Sequence, residues 1–432
     1  MNSAGNNRPI AIDLFAGVGG LSLGFEQAGF DIPVAVEIDP VHAAVHQFNF
    51  PRCKVMPCSV TGITGKEIRQ AAQISAQQPI AAVIGGAPCQ GFSAMGRHAV
   101  SDPRNTLVKD FVRLIDELQP SYFVFENVKG LTTARYKPIL DAIFSQVAAI
   151  NYHLITPWKI LNARDYGVPQ SRERLFLIGA KNGLPTPCYP PSVEDSPTCA
   201  DALDDLPDAD LFYSLIVDGE VPAPPLKSSI SPYAALMRCS TDQSWHYGYR
   251  RQWNPTLLTN SIRTNHSQKS RTRFANTPPG TREPISHFFR LSADGISTTL
   301  RAGTDSARGS FTSPRPIHYR HARCITVREM ARLHGFPDWF RLHKTKWHGA
   351  RQVGNSVPPP LARAIASQLL KALNHQPTPP NRTLSTGNER LLTLITSEAA
   401  HYWGIKSPIR QRDKAALQIK VKAKTYSSTA AI

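Results

Sequence analysis

Along residues 8–180, hydrophobic and polar positions alternate between short continuous apolar runs and stretches with helical spacing. The runs Ile10–Leu14, Val34–Ile38, Ile80–Ile84 and Tyr122–Phe125 predict strands apolar on both faces, as in a parallel sheet covered by helices on each side. Between them, Leu21–Ala28 (closed by Gly29), Pro40–Asn49, Thr106–Leu118 and Tyr136–Ile150 predict helices. The third is the clearest, with apolar residues at 107, 108, 111, 112, 114, 115 and 118. His153–Ile160 and Leu175–Ile178 predict two more strands. Strands alternating with helices imply an open α/β sheet.

From Pro185 the rhythm stops and prolines multiply, so 181–322 reads as a second, irregular domain. Periodicity returns at Thr326, an N-cap for a helix over Val327–His334 with Glu329 completing a capping box. Gln352–Pro358 predicts a tight turn into an apolar helix, Leu361–Leu373. Residues 376–432 read as a loosely ordered appendage. The expected organisation is therefore 8–180, 181–322, a returning segment 323–375, and the extension 376–432.

Composition narrows the partners. No apolar run reaches the length of a membrane span, and Met1–Pro9 carries no signal-peptide pattern, so a cytoplasmic protein is expected. Seven scattered cysteines without a CxxC pair favour neither a zinc site nor a disulfide framework. Lys+Arg number 49 against 32 acids, a net charge of +17 that favours a polyanionic partner such as nucleic acid. The charge is uneven. Residues 191–220 hold nine acids and no Lys or Arg, whereas 221–324 hold fifteen Lys/Arg and four acids. Within the basic part, Arg263, Asn265, Gln268, Arg271 and Arg273, with Arg301 further on, supply the donors that suit phosphates and base edges. The extension adds nine Lys/Arg against three acids.

Candidate chemistry lies in the loops after the strands. The first strand runs into Phe15-Ala16-Gly17-Val18-Gly19-Gly20, a glycine turn opening a helix, where backbone can approach a ligand. The strict GxGxxG dinucleotide pattern fails, because Ser22 holds the third glycine position. Glu37, ending the second strand, is placed to accept ribose hydroxyls. Gly85-Gly86 breaks the third apolar run into a polar loop presenting Cys89, and Glu126 ends the fourth. Alternation puts Gln170, Arg172 and Arg174 on one face, a pair of guanidiniums suited to an anionic or carbonyl-rich ligand, or else to a solvated surface.

Six segments together resemble the DNA (cytosine-5) methyltransferases: Asp13–Gly20, Pro88-Cys89-Gln90, Glu126-Asn127-Val128, Gln170-x-Arg172-x-Arg174, Arg323–Pro337 and Gly354-Asn355-Ser356-Val357, in the family's order and spacing. The resemblance covers 10–180 and 323–373. It implies a Rossmann-like class I S-adenosylmethionine-dependent methyltransferase sheet, with a smaller irregular target recognition domain over 181–322. By resemblance, Cys89 adds to C6 of a flipped cytosine, Glu126 holds N3 and the exocyclic amine, and Arg174, helped by Arg172, sits against O2. For S-adenosylmethionine it points to Phe15, Gly17, Gly19, Gly20, Glu37 and Ile38, then to Pro88, Leu107, Asn355 and Ser356. Ser59 stands where the family usually has Asp. Gln90, Ser93 and Arg97 are further candidates for contacting DNA, and the polar loop from Met95 to Asn105 would close over the flipped base. The implied partner is double-stranded DNA, with a cognate restriction endonuclease as a functional counterpart and the enzyme itself a monomer. A same-fold enzyme acting on tRNA is disfavoured by the long basic segment. A DNA binder without catalysis is disfavoured by the joint presence of Cys89, Glu126, Arg172 and Arg174.

Overall fold

The computed structural model describes residues 8–87, 106–223, 230–304 and 312–407. In chain order the first part comprises β1 (Ile10–Leu14), α1 (Gly20–Ala28), β2 (Asp31–Val36), α2 (Pro40–Asn49), β3 (Lys54–Met56), α3 (Gly65–Ala71), β4 (Ala82–Gly85) and α4 (Thr106–Leu118). There follow β5 (Tyr122–Val128), α5 (Lys137–Ala149), β6 (Tyr152–Leu154), β7 (Lys159–Asn162) and β8 (Glu173–Lys181).

These strands form one sheet in the order β3-β2-β1-β4-β5-β8-β6, with β7 also pairing β8. Pairing is parallel from β3 through β5, whereas β8 runs antiparallel to β5, β6 and β7. The order reverses between β1 and β4, so the loops after these two strands flank the crevice where open α/β sheets take their ligands. Successive side chains of β1 serve opposite layers: Ala11 joins one core, Ile12 and Leu14 the other.

Local chemistry explains the helix ends. Gly29 closes α1 at φ 123°. The Asp39 carboxylate accepts from Val41 and His42 N–H ahead of Pro40 at the first turn of α2. The strand expected over His153–Ile160 is instead two, β6 and β7; Pro157 between them has no N–H to give a ladder. β3 and α3, short and weakly periodic, escaped the sequence reading.

The second part holds α6 (Cys199–Leu203), β9 (Val221–Pro222), α7 (Pro232–Met237), β10 (Arg250–Gln252), β11 (Leu257–Leu258) and α8 (Gln268–Asn276). Then come α9 (Val327–His334), α10 (Lys346–Asn355), α11 (Pro359–Ala372), β12 (Thr383–Ser385) and α12 (Thr396–Tyr402). α9 has the expected capping box of Thr326 and Glu329 and stops at Gly335, φ 86°. α11 returns to the sheet and lies against α1 so closely that a Cβ on Gly24 would fall 2.4 Å from Ala362 Cβ.

The uneven charge along 191–324 is matched internally. Asp205 pairs with Arg238 and Arg332, Asp208 with Arg323, and Asp204 with Arg320. Arg323 and Arg332 are buried, and each has two carboxylate partners, the second being Glu329 and Asp338. The expected loose appendage differs in the structure: Leu391, Leu392, Leu394, Ala399 and Ala400 are buried, all but Ala400 in the main core, and β12 pairs with β10. Its Ser/Thr-rich composition concealed these few apolar anchors. Among the described residues, no helix is long and apolar enough to cross a membrane.

Candidate active site

A cavity of about 420 Å³ opens at the carboxyl edge of the sheet beside the reversal point. Its floor is the glycine turn after β1. Phe15 and Gly17 adopt left-handed φ values of 62° and 56°. Gly20 packs so tightly that a Cβ would lie 2.3 Å from the Val357 carbonyl oxygen. Ser22, at the position that broke the dinucleotide pattern, donates from Oγ to Asp13 Oδ2 at 2.6 Å. Asp13 is fully buried, and that burial pushes its carboxyl up to about 7.

Glu37 organises the next wall. Its Oε2 accepts from Gly17 N–H at 2.7 Å and its Oε1 from Asp39 N–H at 2.8 Å. Burial raises its carboxyl above the ordinary range. Ile38 beside it is 62% exposed, a large apolar side chain standing uncovered at the rim. Ser59, Leu107, Asn355 and Ser356 also line the cavity. Ser59 Oγ accepts from Thr61 N–H, and Ser356 Oγ donates to the Gln352 carbonyl. Gly19 does not line it but turns the chain beneath, at φ 100°.

The far end belongs to β5 and β8. Glu126 Oε1 lies 3.1 Å from Arg174 Nε. Burial pushes the Glu126 carboxyl up, opposed by the positive charges of Arg174 and Arg172. Gly86 faces this acid, for a Cβ there would sit 2.7 Å from Glu126 Oε2. Asn127 reaches back to the Ala87 carbonyl at 3.4 Å. Pro88, Cys89, Gln90, Ser93 and Arg97 lie outside the described residues, immediately beyond Ala87.

Arg172 lines the same cavity but is buried, not on a solvated surface. Its Nη1 donates to the Leu300 carbonyl at 3.1 Å and its Nη2 to the Gly354 carbonyl at 2.8 Å. Gln170 is likewise buried, accepting from Leu300 N–H and donating to His334 Nδ1 at 2.9 Å. These ties clip residues 297–302 of the irregular region against the edge of the sheet.

The cavity is also lined by Asp39, His42, Arg351 and Gln352, which the sequence reading did not single out. Gln352–Asn355 ends α10 and is not the expected turn. Gly349 and Gly354 hid the helix, and with it the face that carries Arg351 and Gln352. The candidate DNA readers divide differently from expectation. Arg263 and Arg271 both reach Asp210, at 3.5 and 2.6 Å, and Arg273 reaches Glu283 at 3.2 Å. Asn265 and Gln268 are exposed, the latter opening α8 where an irregular stretch was expected. Arg301 is exposed next to Gly354.

An open, mostly parallel sheet with a glycine turn after β1, an acid just past β2 and another near the carboxyl end of β5 has the architecture of the class I S-adenosylmethionine-dependent methyltransferases. The chain belongs to the C-5 cytosine-specific DNA methylase family, whose model matches residues 10–371. It is 52% identical over 405 residues to the type II methyltransferase M.XorII of Xanthomonas oryzae pv. oryzae, spanning 94% of this chain and 95% of that one. It is 32% identical to the type II methyltransferase M1.HphI of Haemophilus parahaemolyticus, over 83% of this chain and 86% of the relative. Among solved structures, a prophage-encoded Escherichia coli protein assigned as a DNA modification methyltransferase superposes with a TM-score of 0.69 at 35% identity. The match covers 85% of this chain and all of that one. The Entamoeba histolytica methyltransferase EhMeth, 16% identical with a TM-score of 0.53 over 85% of this chain and 99% of that one, shares the fold. The protein is thus a DNA (cytosine-5) methyltransferase, related to type II modification enzymes.

Proposed function

We propose that this enzyme methylates one cytosine within a specific duplex DNA sequence, using S-adenosylmethionine held in the cavity after β1 and β2 and a nucleophile, Cys89, carried by the loop after β4. The observation that bears most weight is the Glu126–Arg174 pair, which faces Gly86 at the root of that loop and shares the cavity with Glu37.

The residues suit the methyl donor. Ile38, Phe15 and Leu107 offer apolar faces to an adenine ring, and the exposure of Ile38 is what a covering ring would relieve. Each Glu37 oxygen has one internal donor and keeps a lone pair for a ribose hydroxyl. Ser59 can accept a hydrogen bond but adds no charge. Gly17, Gly19, Gly20, Pro88, Asn355 and Ser356 would complete the site. When bound, S-adenosylmethionine supplies an electrophilic methyl group on a sulfonium.

The rest falls to the chain. The target base must leave the stack to reach the cavity. Cys89 adds as thiolate to C6, and the bonding electrons shift toward C5. Glu126 engages N3 and the exocyclic amine, and Arg174, with Arg172 behind it, faces O2 and offsets the charge that develops. C5 takes the methyl group, its proton is lost, and elimination across C5–C6 releases Cys89. Gln90, Ser93 and Arg97 would contact DNA from the same loop. Target choice is assigned to 181–322. The protein would act as a monomer in the cytoplasm, and a cognate restriction endonuclease is its proposed functional counterpart.

The test compares wild type with Cys89→Ser on duplex DNA, tRNA and whole-genome methylation. Methyl transfer to duplex DNA at one sequence, abolished by Cys89→Ser with donor binding retained, is the expected result. Substantial residual turnover would assign the attack to another residue, and transfer to tRNA alone would assign another substrate.

A further inference from the structure

The glycine turn beneath the cavity is gripped from its buried side by a residue with no role in the scheme above. His46, in α2, is fully buried, and its Nδ1 lies 3.3 Å from the Gly17 carbonyl oxygen. On the other side of the same residue, Gly17 N–H donates to Glu37 Oε2 at 2.7 Å. Both polar groups of a residue at left-handed φ are therefore taken by side chains. The ring also fills space. It lies against Phe50, with centroids 4.7 Å apart, and a Cβ on Gly19 would fall 3.1 Å from His46 Cε1.

A carbonyl can only accept, so this contact requires the proton on Nδ1. Burial pushes the imidazole down to about 4, leaving one ring proton near neutral pH. Nε2 is buried without a partner. A proton there would strand a donor and lose the Gly17 bond together, so the Nδ1–H tautomer is the one that fits.

We propose that His46 is a positioning residue for methyl-donor binding, its Nδ1–H holding the Gly17 carbonyl so that the opposite face of Gly17 keeps the Glu37 carboxylate aimed into the cavity. The chain of contact is short. The carbonyl lies in the peptide after the Gly17 Cα and the N–H in the peptide before it, so releasing the carbonyl frees the left-handed φ and ψ of Gly17, its N–H can swing off Glu37 Oε2, and that carboxylate loses its aim at the ribose hydroxyls it is to receive. The inference rests on the reading that the cavity binds S-adenosylmethionine.

His46→Phe is the discriminating variant, because it keeps an aromatic ring of similar size against Phe50 and removes only the donor. Titration calorimetry with S-adenosylhomocysteine should show a Kd raised about three- to tenfold, the effect of one hydrogen bond. KM for the donor should rise in step, with kcat at saturating donor within about twofold and KM for DNA unchanged. His46→Asn, which returns a donor near the Nδ1 position, should recover part of the loss. Wild-type Kd and KM in His46→Phe would overturn the proposal. So would a fall in kcat or melting temperature that His46→Asn shares, since that marks a packing role. Phe15→Ala and Glu37→Gln separate the two levels. If they also leave Kd unchanged, the cavity is not the donor site; if they weaken binding and His46→Phe does not, only the inference fails. Should His46→Phe not fold, ¹⁵N shifts of the wild-type ring decide, an Nε2–H tautomer overturning the proposal.

Discussion

Arg174 places its Nε 3.1 Å from Glu126 Oε1, with both side chains largely withdrawn from water at the mouth of the cavity. The cation lies one strand over, on β8, whose antiparallel register sets Arg174 opposite Val128, two residues past the acid. An acid whose burial favours its neutral form is thereby kept beside a fixed positive charge, an arrangement suited to both donating to and accepting from a pyrimidine edge.

Gly86→Ala tests whether the position of this acid matters more to catalysis than to folding. The new methyl group would meet Glu126 Oε2 at 2.7 Å, the movable end of a side chain rather than backbone. The expected result is a fall in kcat of about tenfold or more with a melting temperature within about 2 °C of wild type. A proportionate loss of both would place the effect in the fold.

Asp13 should make stability depend on pH. Its folded pKa of about 7 lies above the ordinary 3.8, so the folded state binds the proton more tightly than the unfolded one. Stability from this group is full below pH 4 and is lost as pH rises toward 7. Asp13→Asn removes the titration, so its melting temperature should gain on wild type across that interval, by the equivalent of roughly 4 kcal/mol at neutral pH. A constant difference at all pH values would contradict the assignment.

Two truncations of the carboxyl-terminal segment separate its buried anchors from its remaining charge. Truncation after residue 375 removes Leu391, Leu392, Leu394, Ala399 and Ala400 from buried positions, and the shortened chain is expected to be insoluble or markedly less stable. Truncation after residue 407 removes six Lys/Arg and one acid. It should weaken DNA binding and flatten its salt dependence. An altered methylated sequence in the second variant would give those residues a reading role they are not expected to have.

Among the six candidate readers, Asn265, Gln268 and Arg301 are expected to behave differently from Arg263 and Arg271. Alanine at an exposed base reader should cost roughly 1–3 kcal/mol on the cognate site and relax discrimination at one position. Arg263→Ala or Arg271→Ala strips a partner from Asp210 and should lower melting temperature as well. Genome-wide methylation and thermal unfolding of the five variants decide it; unchanged methylated sequence in all would move recognition elsewhere.

The sheet was legible where burial imposes pattern. β1, β4 and β5 sit in the middle and must be apolar on both faces, and α4 shows its apolar stripe in sequence almost residue for residue. Glu37 and Glu126 were legible as acids that end such strands. What escaped depends on partners distant in sequence. Arg172 reads as a cation for a ligand or for a solvated surface until Leu300 and Gly354, 128 and 182 residues away, supply its acceptors. Arg271 reads as a free DNA reader until Asp210, 61 residues earlier, takes it. His46 gives no periodic or motif signal, because what matters is a backbone carbonyl 29 positions upstream.

The clip made by Gln170 and Arg172 bears on how such an enzyme could change its target. Both side chains hold residue 300 by its main-chain N–H and C=O. Those atoms are the same in every amino acid other than proline at the donor position, so the latch does not inspect what the segment spells. Side chains at this point can therefore change without loosening the latch, and the constraint on the intervening stretch falls instead on the acids that Arg323 and Arg332 require.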